Sequence, residues 1–267
     1  MKKALLVFSW DQIAGLRITY SFIAVLPLAF WYARRFSSKT IVALLVVGLA
    51  GSGIPSFLFP YAQTVLDSGL TGILNALTPL FTLLLGVWFF KTKSSVLKIV
   101  GVVVGMGGAV MLMVFQPDGT IGFKNYEYGF FVLLATFCYA LSTNVIKSAL
   151  QNIHPVTIAV MSFLMIGPFG ATYLFSTDFT SVVKAHPDVV QGLVYVGLLS
   201  LFGTVISIII FFKLVQRTDA VFGSIVTYLI PIVAIFWGLL DGEQLVLMQY
   251  LGMALILGGV YLTSNTK

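Results

Sequence analysis

Charge is the scarcest property of this chain. Charged residues make up 9% of its 267 positions, against about 25% in an ordinary soluble domain. Hydrophobic residues make up 59%, so the composition excludes a soluble domain and identifies an integral membrane protein. Cysteine is nearly absent: Cys138 stands alone inside an apolar run, which excludes an intrachain disulfide and leaves it a packing role. The two histidines, His154 and His186, each precede a proline and lack a second ligand at helical spacing, so neither a metal site nor a cofactor is expected. The net charge of +6 is spread over short segments with no basic tract interleaved with aromatics, which excludes nucleic-acid binding. The nine acids (Asp11, Asp67, Asp118, Glu127, Asp178, Asp188, Asp219, Asp241 and Glu243) all fall in loops or at the ends of apolar runs. Mid-membrane carboxylates are the usual proton relays of pumps, so their absence favours a facilitator or exchanger. No paired acids and no Ser–His–acid set stand at a useful spacing, so no catalytic residues and no enzyme activity are expected.

Long, continuous apolar runs are abundant. A helix needs about 20 apolar residues to cross a bilayer. Nine spanning candidates follow one another: 13–32, 41–61, 70–90, 96–115, 128–146, 155–176, 189–212, 220–240 and 245–263. Barrel strands are shorter and alternate in polarity, so the expected fold is all-α, a polytopic membrane helix bundle. Residues 1–10 begin like a signal peptide, but the apolar run is too short and Asp11 follows it, so that reading is set aside. The longest connections, 116–127 and 177–188, do not divide the bundle into separate bodies.

Two stretches organise the chain. Residues 221–243 read VFGSIVTYLIPIVAIFWGLLDGE, and residues 71–91 read TGILNALTPLFTLLLGVWFFK. With Pro79 set on Pro231, Gly86 falls on Gly238 without a gap; one residue of slip then sets Gly101, Gly107 and Gly108 on Gly252, Gly258 and Gly259. Proline and glycine are common in membrane helices, yet matched order favours an internal duplication. Paired interrupted helices are the best sequence pointer to a transporter's substrate site. Pro79 and Pro231 are therefore candidate bend points.

Loop charges give an orientation. Arg34, Arg35, Lys39, Lys91, Lys93, Lys98, Lys147, Lys213, Arg217 and Lys267 share one side, and the acid-bearing connections share the other. Positive loops stay in the cytoplasm, so the C-terminus is expected there. The two proline spans then run in opposite directions, which makes two inverted-topology repeats: residues 1–115 with four helices, a connecting loop at 116–127, and residues 128–267 with five. MKKALLVFSWDQIA at the start aligns with IKSALQNIHPVTIA from Ile146. Met1 thus matches the end of the fifth span. The expectation is nine helices of a ten-helix architecture, with the first helix lacking.

Polar faces mark candidate pathway residues. Thr71, Asn75, Thr78 and Thr82 share one face of the third span. Pro79 removes a backbone donor and frees a carbonyl near Asn75. Thr227, flanked by Ser224 and Tyr228, is the repeat counterpart of Asn75. Ser200, Thr204 and Ser207 line up on the seventh span; Tyr139, Thr143 and Asn144 stand on the fifth; Tyr61 and Gln63 end the second. Such groups line a water-filled cavity or join helices. Neutral donors and acceptors beside aromatics suit a small, partly apolar, neutral or zwitterionic solute. Asn75→Ala and Tyr228→Ala are each expected to lower transport without loss of folding. Arg17 is a charge about one turn inside the first span. It either anchors the helix by snorkelling to the headgroups, the favoured reading, or attracts an anionic group at the outer mouth. Gly101-Val-Val-Val-Gly105 allows close helix approach, either within the bundle or in a homodimer through the glycine-rich helices.

These features together resemble the drug/metabolite transporter superfamily, in particular its EamA-type ten-helix members. The resemblance rests on Gly15-Leu16-Arg17, the proline helices, Lys147, Gly242-Glu243 and the glycine-rich closing helices. Its most specific part is the run TDAVFGSIVTYLIPIVAIFWGLLDGE beginning at Thr218. It implies a carrier of small metabolites (amino-acid-like, zwitterionic or partly apolar, drugs included) in the inner or plasma membrane, working by alternating access. It also implies that the second, third, fifth, seventh and eighth spans surround the cavity. Two departures stand out: Lys91 occupies a position where the family usually carries Glu, and the lacking first helix normally lines the cavity. The alternative is a non-transporting membrane protein that serves as a structural or interaction partner.

Overall fold

The computed structural model describes residues 4–66, 68–114, 128–230 and 247–264, and among these every regular element is helical. Helices α1 (Trp10–Tyr32), α7 (Gly129–Ala149) and α8 (Pro155–Ser176) are continuous. The second span is α2 (Ser38–Gly48), a π-helical turn (Leu49–Gly53) and α3 (Ile54–Gln63). The seventh is α10 (Val189–Ser200), a π-helical turn (Leu201–Ile206) and α11 (Ser207–Arg217), preceded by the short α9 (Phe179–Ala185). The five segments Trp10–Tyr32, Ser38–Gln63, Gly129–Ala149, Pro155–Ser176 and Val189–Arg217 are long and apolar enough to cross a membrane. The third span is two pieces, α4 (Ser68–Asn75) and α5 (Thr78–Trp88), and α6 (Val96–Val114) follows. The eighth begins as α12 (Ala220–Ile225) with a tight 3-10 turn at Val226–Tyr228; the last described element is α13 (Leu247–Ser264). Pro231, Gly238, the Asp241–Glu243 loop and the 116–127 connection lie outside the described residues.

Of the nine expected spans, the third and eighth, where bends are expected at Pro79 and Pro231, are interrupted, and so are the second and seventh, where none is expected; the interruptions of the second, third and seventh each have a local cause. Pro55 has no N–H to return to Gly51, so the turn before it widens. In the seventh span no proline is present. There the hydroxyl of Ser207 donates to the Phe202 carbonyl at 2.6 Å and that of Thr204 to the Leu199 carbonyl at 3.4 Å, five residues back in each case. In the third span Pro79 sits in the first turn of α5, and the hydroxyl of Thr78 takes the carbonyl of Asn75 at 2.6 Å. The offset that sets Pro79 on Pro231 also sets Leu49 on Leu201 and Ser68 on Ala220, so the π turns and the starts of α4 and α12 coincide.

Corresponding helices of the two halves run antiparallel against each other. Along α1 and α8, Gly15 meets Leu174, Ile18 meets Gly170, and Phe22 meets Gly167. Along α6 and α13, Gly101 meets Gly259 and Thr263, whereas Gly108 meets Gly252 and Ile256. A Cβ at Gly259 would stand 2.6 Å from the Gly101 carbonyl and 2.7 Å from the Cα of Gly105, so backbones touch there and only glycine fits. This stripe is therefore used inside the chain; Gly107 and Gly258 face away from it. A mixed core spans the halves, with Ala76, Leu83 and Val102 packed against Val221, Ile225, Tyr228 and Ile256. Phe30, Trp88, Phe169, Phe175 and Tyr261 are exposed on the outside. An exposed apolar belt of this kind is solvated by lipid rather than water.

At one end the halves are tied by an ion pair, and polar contacts within the second half lie beside it. Lys98 pairs with Asp219 at 2.8 Å, while Asp219 also caps α12 by accepting from the Val221 and Phe222 N–H groups. Lys147 donates to the carbonyls of Gln216 and Thr218, and Gln216 returns its amide to the carbonyls of Leu150 and Ile153.

Candidate solute cavity

A cavity of about 510 Å³ lies between the halves. Both π turns open onto it: Gly51 and Ser52 from the first, Gly203 and Thr204 from the second. Beyond them the wall continues with Ser56 and Phe59 on α3, and with Ser207, Ile208, Phe211 and Phe212 on α11. The interrupted third and eighth spans add Asn75 and Thr78, then Val226, Thr227 and Ile230. Helix α7 adds Tyr139, Ser142 and Thr143, α3 ends with Gln63, and α1 contributes Arg17. A widened or broken helical turn leaves backbone carbonyls without their usual intrahelical donor, and such backbone is tolerated at membrane depth only beside a cavity or buried in protein.

Most of this wall is built of matched pairs under one offset. Gly51 faces the cavity with Gly203, Ser52 with Thr204, Ser56 with Ile208, Phe59 with Phe211, Asn75 with Thr227, and Thr78 with Ile230. The backbone positions agree while the chemistry diverges. The first half contributes Ser56, Asn75 and Thr78, and its partners are Ile208, Thr227 and Ile230.

Of the residues expected from sequence, Asn75, Thr78, Gln63, Tyr139, Thr143, Thr204, Ser207 and Thr227 line the cavity, and Arg17 lines it with them. Four others sit elsewhere, and each has a packing reason. Tyr228 is 0% exposed, and its hydroxyl donates to the Val102 carbonyl at 3.0 Å across the halves. Asn144 donates to the carbonyls of Thr82 and Ala140, at 3.0 Å each, and so ties α7 to α5. Ser224 donates to the Val221 carbonyl of its own helix. Tyr61 packs among Trp10, Tyr128 and Phe131. Ser200 likewise turns back to the Val196 carbonyl, and Thr82 to that of Thr78. Pro79 is buried beside the lining residue Thr78.

Arg17 does not reach out along its helix. Its Nη2 donates to the Thr204 hydroxyl at 3.2 Å, on the π turn of the other half, and its Nε is buried without a partner. Lys91 is exposed just after α5, with φ of 52°, in the left-handed conformation that ends many helices; the following N–H, of Thr92, returns to the Gly86 carbonyl at 2.9 Å.

Sequence reasoning missed Ser52, Ser56, Phe59, Ser142, Phe211 and Ile230. The usable signal was the repeat offset carried back from Pro79 towards Leu49, which sets Ser52 on Thr204 and Phe59 on Phe211.

Comparison with known proteins agrees with this geometry. The EamA-like transporter family matches residues 1–114 and again residues 128–265. An uncharacterized transporter of Archaeoglobus fulgidus is 23% identical over 235 residues, covering 88% of this chain and 81% of that one. The uncharacterized inner membrane transporter YedA of Escherichia coli is 25% identical over 266 residues, covering 98% of this chain and 84% of that one. A protein of known crystal structure superposes with a TM-score of 0.70 at 16% identity, over 96% of this chain and 88% of that chain, which shows a shared fold.

Proposed function

This chain belongs to the EamA-like transporter family, and from that premise we propose that the cavity is the solute site of a carrier worked by alternating access between two halves, residues 1–115 and 128–267. The chain is a multi-pass membrane transporter. The observation that carries the finer reading is the matched pairing of the cavity wall. Two equivalent, oppositely running halves that each supply a π turn and an interrupted span to one site can rock about it. The Lys98–Asp219 pair ties the halves at one end of the bundle, and the Lys147–Thr218 contact braces the second half beside it. By the charge of the loops, that end faces the cytoplasm of a cell or inner membrane. Closed there, the cavity is offered to the outer side, and opening requires the Lys98–Asp219 pair to release.

The wall supports a class of solute. About 510 Å³ holds a small metabolite. Ser56, Asn75 and Thr78 supply hydrogen bonds on one side, and Ile208, Phe211 and Ile230 supply an apolar surface on the other. That asymmetry suits an amphipathic solute with a polar end and an apolar body, as in amino-acid-like compounds.

Counterflow in proteoliposomes tests both parts. Vesicles are loaded with one unlabelled amphipathic metabolite at a time, and uptake of its labelled form is followed. Internal solute should accelerate labelled uptake, because a carrier returns faster loaded than empty. Uptake that ignores internal solute would replace the alternating-access reading with a passive pore.

A further inference from the structure

We infer that Arg17 is a carboxylate-binding group of the cavity, so that the solutes are ones with a single carboxylate and an apolar body. The inference rests on the solute-site reading above and narrows it. Arg17 is the one charged side chain among the described residues that line the cavity. A guanidinium has five N–H donors and keeps its charge at any working pH. The Thr204 hydroxyl takes one of these donors, Nε is buried with no partner, and no acidic residue bonds to Arg17 among the described residues. Elsewhere the bundle satisfies its part-buried cations: Lys98 has Asp219, and Lys147 has two carbonyls. Ser21, one turn beyond Arg17, is also buried and unpartnered, but it does not line the cavity. The unmet bonding capacity at the site is therefore that of Arg17.

The chemistry of the wall selects the anion. A carboxylate matches the planar fork of arginine with two parallel hydrogen bonds. A phosphate would bring a second charge, and the described wall holds no second cation for it. Phe59, Ile208 and Phe211 instead offer apolar surface to an organic body attached to the carboxylate. No described lining residue is acidic, so an ammonium group on the solute meets only neutral oxygens. Arg17 stands on the first half and its hydroxyl partner Thr204 on the second. A carboxylate bound at Arg17 competes with, or adds to, a contact that joins the two halves.

Arginine modification on the unaltered chain tests this directly. The full-length protein in proteoliposomes is treated with phenylglyoxal, and modification of each arginine is read by peptide mass spectrometry. Phenylacetate and phenylalanine, each at about ten times its Kd, should slow modification of Arg17 about tenfold, the factor by which a ligand that covers the guanidinium lowers its free fraction at that concentration. Phenylacetamide and inorganic phosphate should not slow it, and Arg34 and Arg217 should react alike in every sample. In parallel, R17Q should lose the preference for phenylacetate over phenylacetamide in counterflow, and R17K should restore part of it. Equal protection by acid and amide, protection by phosphate alone, or no protection by either acid would overturn the inference. Where R17Q does not fold, the labelling result decides. Exchange of amides but not acids would defeat the carboxylate assignment while leaving the solute site standing; exchange of no solute in any arm would defeat both.

Discussion

At matched positions the first half of the chain turns Ser56 and Thr78 to the cavity, and the second turns Ile208 and Ile230. The glycines Gly51 and Gly203, and the aromatics Phe59 and Phe211, are the same on both sides. Residues common to both halves belong to the scaffold: widened turns that let the chain bend, and rings that bound the space. On the proposed solute-site reading, cavity residues that differ serve recognition, because only side chains can distinguish two ends of a solute once the backbones are equivalent. The pair Ala76 and Tyr228 also differs, but in the core, where the difference serves packing between the halves. Both are buried in one cluster, yet the tyrosine crosses to the opposite half and bonds to Val102, in space that Gly105 leaves open.

The largest way to break this comparison is to separate the halves. Gly259→Leu drives a side chain into the Gly101 carbonyl and the Gly105 backbone. It should cost about 3 kcal/mol or more as overpacking that no rotamer relieves, and folded protein should fall sharply on size exclusion in detergent. Next comes Tyr228. Its alanine variant empties a fully buried site and should lose about 3–5 kcal/mol, whereas Tyr228→Phe should lose about 1 kcal/mol with the single hydrogen bond; thermal unfolding of the two variants separates packing from the hydroxyl. The expectation that Tyr228→Ala would leave folding intact is thereby revised. Asn75→Ala should lower exchange of polar solutes about tenfold, the equivalent of one hydrogen bond, with little change in melting temperature. Ile230→Thr, which makes the second half more like the first, should shift counterflow towards more polar solutes by about fivefold, within the range a small pocket change commands. A Tyr228→Ala protein that melts like the wild type, or an Ile230→Thr protein with unchanged preference, would sink the division into scaffold and recognition.

Much of the fold was legible in the sequence for simple reasons. A bilayer demands about 20 apolar residues per crossing, and duplication leaves prolines and glycines in the same order. The cavity was legible where a polar side chain recurs on an interrupted helix, as at Asn75 and Thr227. It was misread where a polar side chain satisfies its own helix or a neighbour, as at Ser224, Asn144 and Tyr228. A hydroxyl or amide in a membrane helix must bond to something, and its residue type does not say whether the partner is a carbonyl one turn back or a ligand. Ile230 and Phe211 were missed for the opposite reason: an apolar side chain facing a cavity looks like one facing lipid.

By itself the sequence determined the class of the protein, the duplication and the approximate spans, because hydropathy and the order of glycine and proline are local properties. Only the tertiary structure decided that the glycine stripe of α6 is filled by α13 from the same chain, that the π turns open on one cavity, and that Arg17 points at Thr204. Those facts depend on which helices touch and how each is rotated about its axis. That rotation is set by packing between helices of similar apolar character, which a pattern along one helix cannot specify.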